Sequence, residues 1–249
     1  MDRSDDTRIR AILLTSQRTG SSFLIDCLYS HPDIEPCGEL LIGAAEKFQP
    51  LTKGRLRPLA KFWRFARAGA WLPRRHMENF FRSGQARVRL FKAMYNHISN
   101  PITLGYLRSH TEIRVLHLRR RNLLKMHVSR KLMGSGKRVQ SMKPLAGAQV
   151  RIDPAEALAS MRRARRQYQR FEEVFSAHPR LQLVYEDLIS QQTIDPKVSD
   201  AICDFLGIER VELTSKLVKL NPDPLSKIVT NYDELADAIT VTEFGNLLD

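Results

Sequence analysis

The chain has 249 residues, 43% of them hydrophobic, enough apolar material for one good-sized domain with its own core. No apolar run approaches the length of a membrane span, and the acids Asp2, Asp5 and Asp6 lead straight into a predicted strand, which does not read as a signal peptide. Three cysteines (Cys27, Cys37, Cys203) without Cys-x-x-Cys spacing fit reduced thiols in a cytoplasmic protein better than a disulfide framework or a zinc site, and a net charge of +13 leaves an anionic partner open.

In chain order, strands are predicted over 8–15, 88–94, 113–118 and 181–185. Helices are predicted over 21–30, 40–48, 59–70, 75–83, 101–109, 122–132, 154–177, 194–206 and 213–219. Strands separated by helices at this spacing predict an α/β domain whose parallel sheet is covered on both faces. No repeat and no domain boundary breaks 1–249. In the helix from Pro154 the stripe Leu158, Met161, Ala164, Tyr168, Phe171 and Phe175 marks the packed face. Gly134 to Gly147 is the least patterned stretch and a candidate acceptor loop.

The excess charge is concentrated. From Lys53 to Arg89 the only acid is Glu78, and Phe62, Trp63, Phe65, Trp71, Phe80 and Phe81 are interleaved with eleven Lys and Arg residues. One reading is a set of helices with a solvated basic face and buried aromatics. The other makes 44–88 a basic helical cap on the acceptor side or against an anionic membrane surface. No nucleic-acid-binding module is legible, and a homo-oligomer stays open.

Ile12 to Leu24 carries the chemistry. An apolar run ends at Thr15, a polar turn holds Arg18 and Gly20, and an amphipathic segment begins at Ser21. A strand, tight loop and helix start of this kind aim N–H groups and hydroxyls at an anion. The pattern of a nucleotide-hydrolysing P-loop fails, because Thr15 replaces the early Gly and Ser21 replaces the Lys. The dinucleotide fingerprint fails too, since Gly20 is the loop's one glycine. A second element begins at Ile113, runs into Arg119, Arg120, Arg121 and Asn122, and continues as a helix through Ser129. Arg121 and Ser129 lie eight apart, at a strand end and about two helical turns on, where a guanidinium and a hydroxyl can clamp one phosphate.

Together these elements resemble the sulfotransferases that use 3′-phosphoadenosine 5′-phosphosulfate (PAPS). Thr15 to Ser22 is similar to their 5′-phosphosulfate loop, with Arg18 where many members carry Lys. Arg119 to Ser129 is similar to their 3′-phosphate element. Cys37 to Leu41 resembles an acidic segment of the bacterial carbohydrate sulfotransferases, and Leu183 to Leu188 the family's Tyr-Glu-Asp-Leu strand end. Asn221 to Leu235 resembles the branch containing nodulation-factor and trehalose sulfotransferases. These matches run in order from residue 11 to 235. Asn122 departs from that branch, which often carries an acid there.

The resemblance implies a P-loop-like sheet and transfer of a sulfuryl group from PAPS to a hydroxyl of a carbohydrate or glycolipid. Arg18, Thr19, Gly20, Ser21 and Ser22 would hold the 5′ end, Arg121 and Ser129 the 3′-phosphate, and Tyr185 the adenine. Glu39 would be the catalytic base, with His31 and Glu35 as rivals; His31 otherwise reads as a turn with an exposed ring. Arg18 would neutralise the bridging oxygen, and Lys92, a charge inside an apolar strand, would face the sulfuryl group. No metal is required where fixed arginines and a helix dipole supply the positive charge. Lys219 and Asn231 are further candidates near the cofactor. The alternatives are a phosphate-binding kinase or nucleotide hydrolase, revived by a magnesium requirement, and a basic module on an anionic surface, revealed by salt-sensitive binding.

Overall fold

The computed structural model of the chain describes residues 8–41, 72–134, 149–190, 193–215 and 224–248. Five parallel strands form the sheet: β1 (Ile9–Thr15), β2 (Ile34–Cys37), β3 (Val88–Met94), β4 (Arg114–Arg119) and β5 (Arg180–Val184). Their order is β2-β3-β1-β4-β5. β1 therefore lies in the middle, with Leu13 opposite Lys92 on one side and Leu116 on the other. After β1 the chain builds outward to β2, returns to β3, and crosses β1 to reach β4. This reversal brings the carboxyl ends of β1, β3 and β4 side by side, the usual ligand position in open α/β sheets.

Both faces are covered. Ala11 and Leu13 of β1 point to the side of α1 (Ser21–Tyr29) and α8 (Pro196–Leu206), where Leu24, Leu28, Ile202 and Leu206 are buried. Ile12 and Leu14 point to the other side, against α2 (Leu72–Arg82), α3 (Tyr95–Ile98), α4 (Pro101–Ser109), α5 (Leu123–Gly134) and α6 (Pro154–Val174). Strand alternation alone sorts these residues between two cores. The stripe on α6 packs as its spacing requires, with Met161, Ala164, Tyr168 and Phe171 buried. Asp153 caps this helix, its carboxylate accepting from the Glu156 N–H at 2.7 Å, and Pro154 occupies the first turn.

The predicted α/β class and the parallel sheet with helices on both faces are observed. β2 is an element the sequence pattern missed. It has four residues and contains Pro36, which has no N–H to offer a ladder; it is tolerated because β2 is an edge strand. The helices predicted over 59–70 and most of 40–48 lie outside the described residues, as do Lys219 and the loop after Gly134. Residues 213–215 are not helical, whereas α9 (Leu225–Ile228) and α10 (Tyr232–Thr240) close the chain against α6. Of the basic stretch, Arg74 pairs with Glu78 one helical turn on, and Arg89 is buried against Glu35 and the face of Phe80. Among the described residues no helix is long and apolar enough to cross a membrane.

Candidate active site

The loop between β1 and α1 is held by its own hydroxyls. Thr15 and Thr19 are fully buried, their Oγ1 atoms 2.5 Å apart, and the Thr19 hydroxyl donates to the Ser16 carbonyl at 3.0 Å. Thr19 is therefore part of the loop's frame, with its hydroxyl turned inward. Arg18 has φ +68°, the one non-glycine at positive φ among the described residues, a conformation that costs free energy and marks a backbone shaped for use. Gly20 follows at φ +81° and begins α1. The first intrahelical bond runs from the Leu24 N–H to the Gly20 carbonyl, so the amides of Ser21, Ser22 and Phe23 stand ahead of the ladder at the positive end of the dipole.

Gly20 is also a close approach. A Cβ there would lie 2.2 Å from Cδ2 of Tyr185. The Tyr185 ring is packed on the loop, and the Arg120 guanidinium lies 5.0 Å from its centre. Tyr185 thus meets the loop between β1 and α1, and its expected role is contact with an adenine.

Arg18 and Arg120 meet over this platform. Arg120 Nη1 donates to the Arg18 carbonyl at 3.1 Å, and Arg18 Nε donates to Ser129 Oγ at 2.9 Å. Burial lowers the pKa of Arg18, and the Arg120 and Arg130 charges lower it further, against the raising effect of Tyr185. Arg120 and Arg130 are lowered as well, chiefly by burial. Arg120 Nε is buried without a hydrogen bond; Glu186 approaches it only to 3.8 Å. Among the described residues neither Arg18 nor Arg130 has a carboxylate partner. Half-buried guanidiniums that repel one another attract an anion with several negative oxygens.

One expected pair is not joined in the structure. Ser129 is met by Arg18, whereas Arg121 turns outward and holds both carboxylate oxygens of Asp187 at 2.9 and 2.7 Å. The reason is the tip of β5, directly beside β4. There Tyr185, Glu186 and Asp187 form the short helix α7 (Tyr185–Leu188) and supply three contacts in turn. Tyr185 packs on Gly20, Glu186 accepts from the amides of Arg121 and Asn122 at 2.7 and 3.0 Å, and Asp187 takes the Arg121 side chain. Spacing identified Arg121 and was silent about Arg120.

At the tips of β2 and β3 a second group of charges assembles. Lys92 is buried within β3, and its Nζ lies 2.7 Å from Glu39 Oε1, just past β2. A lysine in a fully buried strand needs such a partner. The rivals of Glu39 are engaged elsewhere. His31 is buried rather than exposed, with Nε2 2.9 Å from the Glu209 carbonyl and Nδ1 accepting from the Asp33 N–H at 3.0 Å. Glu35 pairs with Arg89 under Gly84. Asn231 clamps both polar groups of the Ile152 backbone, a structural task. His97 on α3 joins Glu39 and Lys92, since both charges act on its ring. A lone histidine three residues past a strand carries no sequence signal, and only the strand order places it there.

No family model and no curated protein sequence matches the chain. The crystal structure of a sulfotransferase from Alicyclobacillus acidocaldarius is similar over 94% of this chain and 93% of its own, with a TM-score of 0.50 and 15% identity. A sulfotransferase from Mycobacterium avium aligns over 94% of this chain and 76% of its own, with a TM-score of 0.48 and 11% identity. The first of these likenesses establishes a shared P-loop-like fold.

Proposed function

We propose that the protein transfers a sulfuryl group from PAPS to a hydroxyl of a carbohydrate or glycolipid. The observation that carries this reading is the convergence of Arg18, Arg120 and Ser129 in front of the α1 N-terminus, with the Glu39–Lys92 pair on the neighbouring β3 and β2 at the same end of the sheet. The first half fits a phosphate-bearing co-substrate, because an orphaned buried Nε, a glycine cradle and a guanidinium without a carboxylate partner all call for oxyanions. The second half supplies a carboxylate for a hydroxyl and an ammonium for developing charge. Bound there, PAPS supplies the sulfuryl group and its phosphate leaving group.

In this reading Arg18 neutralises charge at the bridging oxygen, with Arg120 behind it and the amides of Thr19 to Ser22 completing the cradle. Arg121 and Ser129 take the 3′-phosphate, which requires Arg121 to exchange Asp187 for the ligand. That exchange is cheap, because the Arg121–Asp187 pair is exposed and such pairs contribute about 1 kcal/mol or less. Glu39 accepts the hydroxyl proton late in the reaction, and Lys92 moves toward the transferred group. The carbohydrate acceptor rests on the resemblance of the Glu39 segment and the C-terminal segment to the carbohydrate branch.

The test is transfer of labelled sulfate from PAPS into a panel of sugars and glycolipids, read by mass shift, beside calorimetry with 3′-phosphoadenosine 5′-phosphate. Binding and transfer without added magnesium are expected. Magnesium-dependent nucleotide hydrolysis with no affinity for the phosphoadenosine overturns the reading.

A further inference from the structure

β3 ends between the tips of β1 and β2, so the turn that follows it stands beside both the anion cradle and Glu39. That turn, α3, carries His97. The ring is half-buried, and its Nδ1 is buried without a hydrogen-bond partner. The charged groups acting on it are Glu39 from the tip of β2 and Lys92 from β3; among the described residues none on the adjoining α4 does so. Burial lowers the His97 pKa, Lys92 lowers it further and Glu39 opposes them, so at neutral pH the ring is uncharged and keeps a lone pair. A buried ring nitrogen left unpaired costs stability.

Sulfuryl transfer to a hydroxyl leaves one proton to be removed. The O–H bond of the acceptor breaks as its oxygen bonds to sulfur. The bond from sulfur to the phosphate oxygen breaks with its electron pair going to the phosphate. The proton arrives on Glu39, and Glu39 cannot act again until it leaves. Lys92, 2.7 Å away, cannot receive it, because an ammonium has no lone pair. We propose that His97 is a proton relay, taking the proton from Glu39 directly or through one bridging water and passing it to solvent. In this proposal the ring touches neither the sulfuryl group nor the leaving phosphate. It acts through Glu39, and the cluster Glu39–Lys92–His97 then divides three tasks among three side chains at two strand tips.

The inference rests on the sulfuryl-transfer reading, and the experiment separates the two. Transfer of labelled sulfate from PAPS to water requires no identified acceptor and serves as the assay. A wild-type protein that neither binds phosphoadenosine phosphate nor releases sulfate overturns the parent reading and the relay with it. With wild-type transfer established, His97→Ala is expected to slow turnover about 100-fold near neutral pH, with phosphoadenosine affinity within about twofold of wild type. Added imidazole should restore part of the rate, and the acidic limb of the pH–rate profile should change. Undiminished turnover overturns the relay alone, as does a slow variant that imidazole does not rescue and whose pH profile is unchanged. His97→Gln keeps much of the shape without the proton chemistry, should the alanine variant fold poorly. Independently of activity, the ring resonances of His97 followed by NMR should titrate below the ordinary histidine value, and lower still in Glu39→Gln. A titration that Glu39→Gln does not move refutes the coupling.

Discussion

Gly20→Ala tests the geometry of the cradle most directly. Two costs can be read from the structure. The alanine must adopt φ +81°, and its Cβ must displace the Tyr185 ring, which starts 2.2 Å away at Cδ2 and 2.3 Å at Cε2. The left-handed conformation costs about 1–2 kcal/mol and forced repacking about 1–3, so roughly 2–5 kcal/mol is expected in total. Folding free energies of about 5–15 kcal/mol leave the variant folded, with its melting midpoint lower by roughly 4–20 °C. The same displacement pulls Tyr185 from beneath Arg120 and reshapes the amides ahead of α1, so affinity for phosphoadenosine phosphate falls with stability. Urea denaturation and calorimetry measure the two. Adding Tyr185→Ala removes the obstacle while leaving the strained φ, so the double variant should be destabilised by less than the sum of the single ones, by about 1–2 kcal/mol. Additive behaviour, or a Gly20→Ala variant within about 0.5 kcal/mol of wild type, refutes the close approach.

Further predictions concern charge. Arg18→Ala removes charge-assisted contacts worth about 1.5–3 kcal/mol, so phosphoadenosine affinity should drop roughly 10- to 150-fold with the circular-dichroism spectrum unchanged; equal affinity would remove Arg18 from the anion site. Glu39→Gln should bind the phosphoadenosine normally and turn over about 10²–10⁴-fold more slowly, measured by single-turnover sulfate transfer. Retained turnover would take the base away from Glu39. His117, fully buried with Nε2 2.6 Å from the Tyr95 hydroxyl, has its pKa pushed down by burial to about 3. Its folded pKa lies below the unfolded value, so the unfolded chain takes up the proton first. Stability is therefore complete above about pH 6.5 and lost as pH falls towards 3, by about 1.4 kcal/mol per unit. Urea unfolding near pH 7 and pH 5 should show about 2 kcal/mol less of this loss in His117→Gln, and an unchanged pH dependence would count against the assignment.

The limits of the sequence reading have physical causes. β1, β3 and β4 are buried on both faces and so appear as apolar runs, and α6 shows its stripe because one face is solvated. β2 left no such trace, since an edge strand of four residues can carry a proline and a glutamate. The three consecutive arginines at the end of β4 cannot be ranked by spacing. Arg120 goes inward and Arg121 outward because Glu186 and Asp187 of the neighbouring β5 tip compete for that turn. His31 read as exposed because the turn around it is polar, yet the Glu209 carbonyl and the Asp33 amide cover both ring nitrogens.

What the sequence by itself determined is the local structure: a strand, a glycine-bearing turn and a helix start of the kind that suits an anion, which follow from residues a few positions apart. What only the tertiary structure decided is which distant charges share a site. Lys92 and Glu39 are 53 positions apart in the chain and meet because β2 and β3 are hydrogen-bonded neighbours, and Arg18 finds Ser129 because β4 lies beside β1. Strand order is set by how helices pack on the two faces of the whole sheet, a long-range balance that no window of sequence contains.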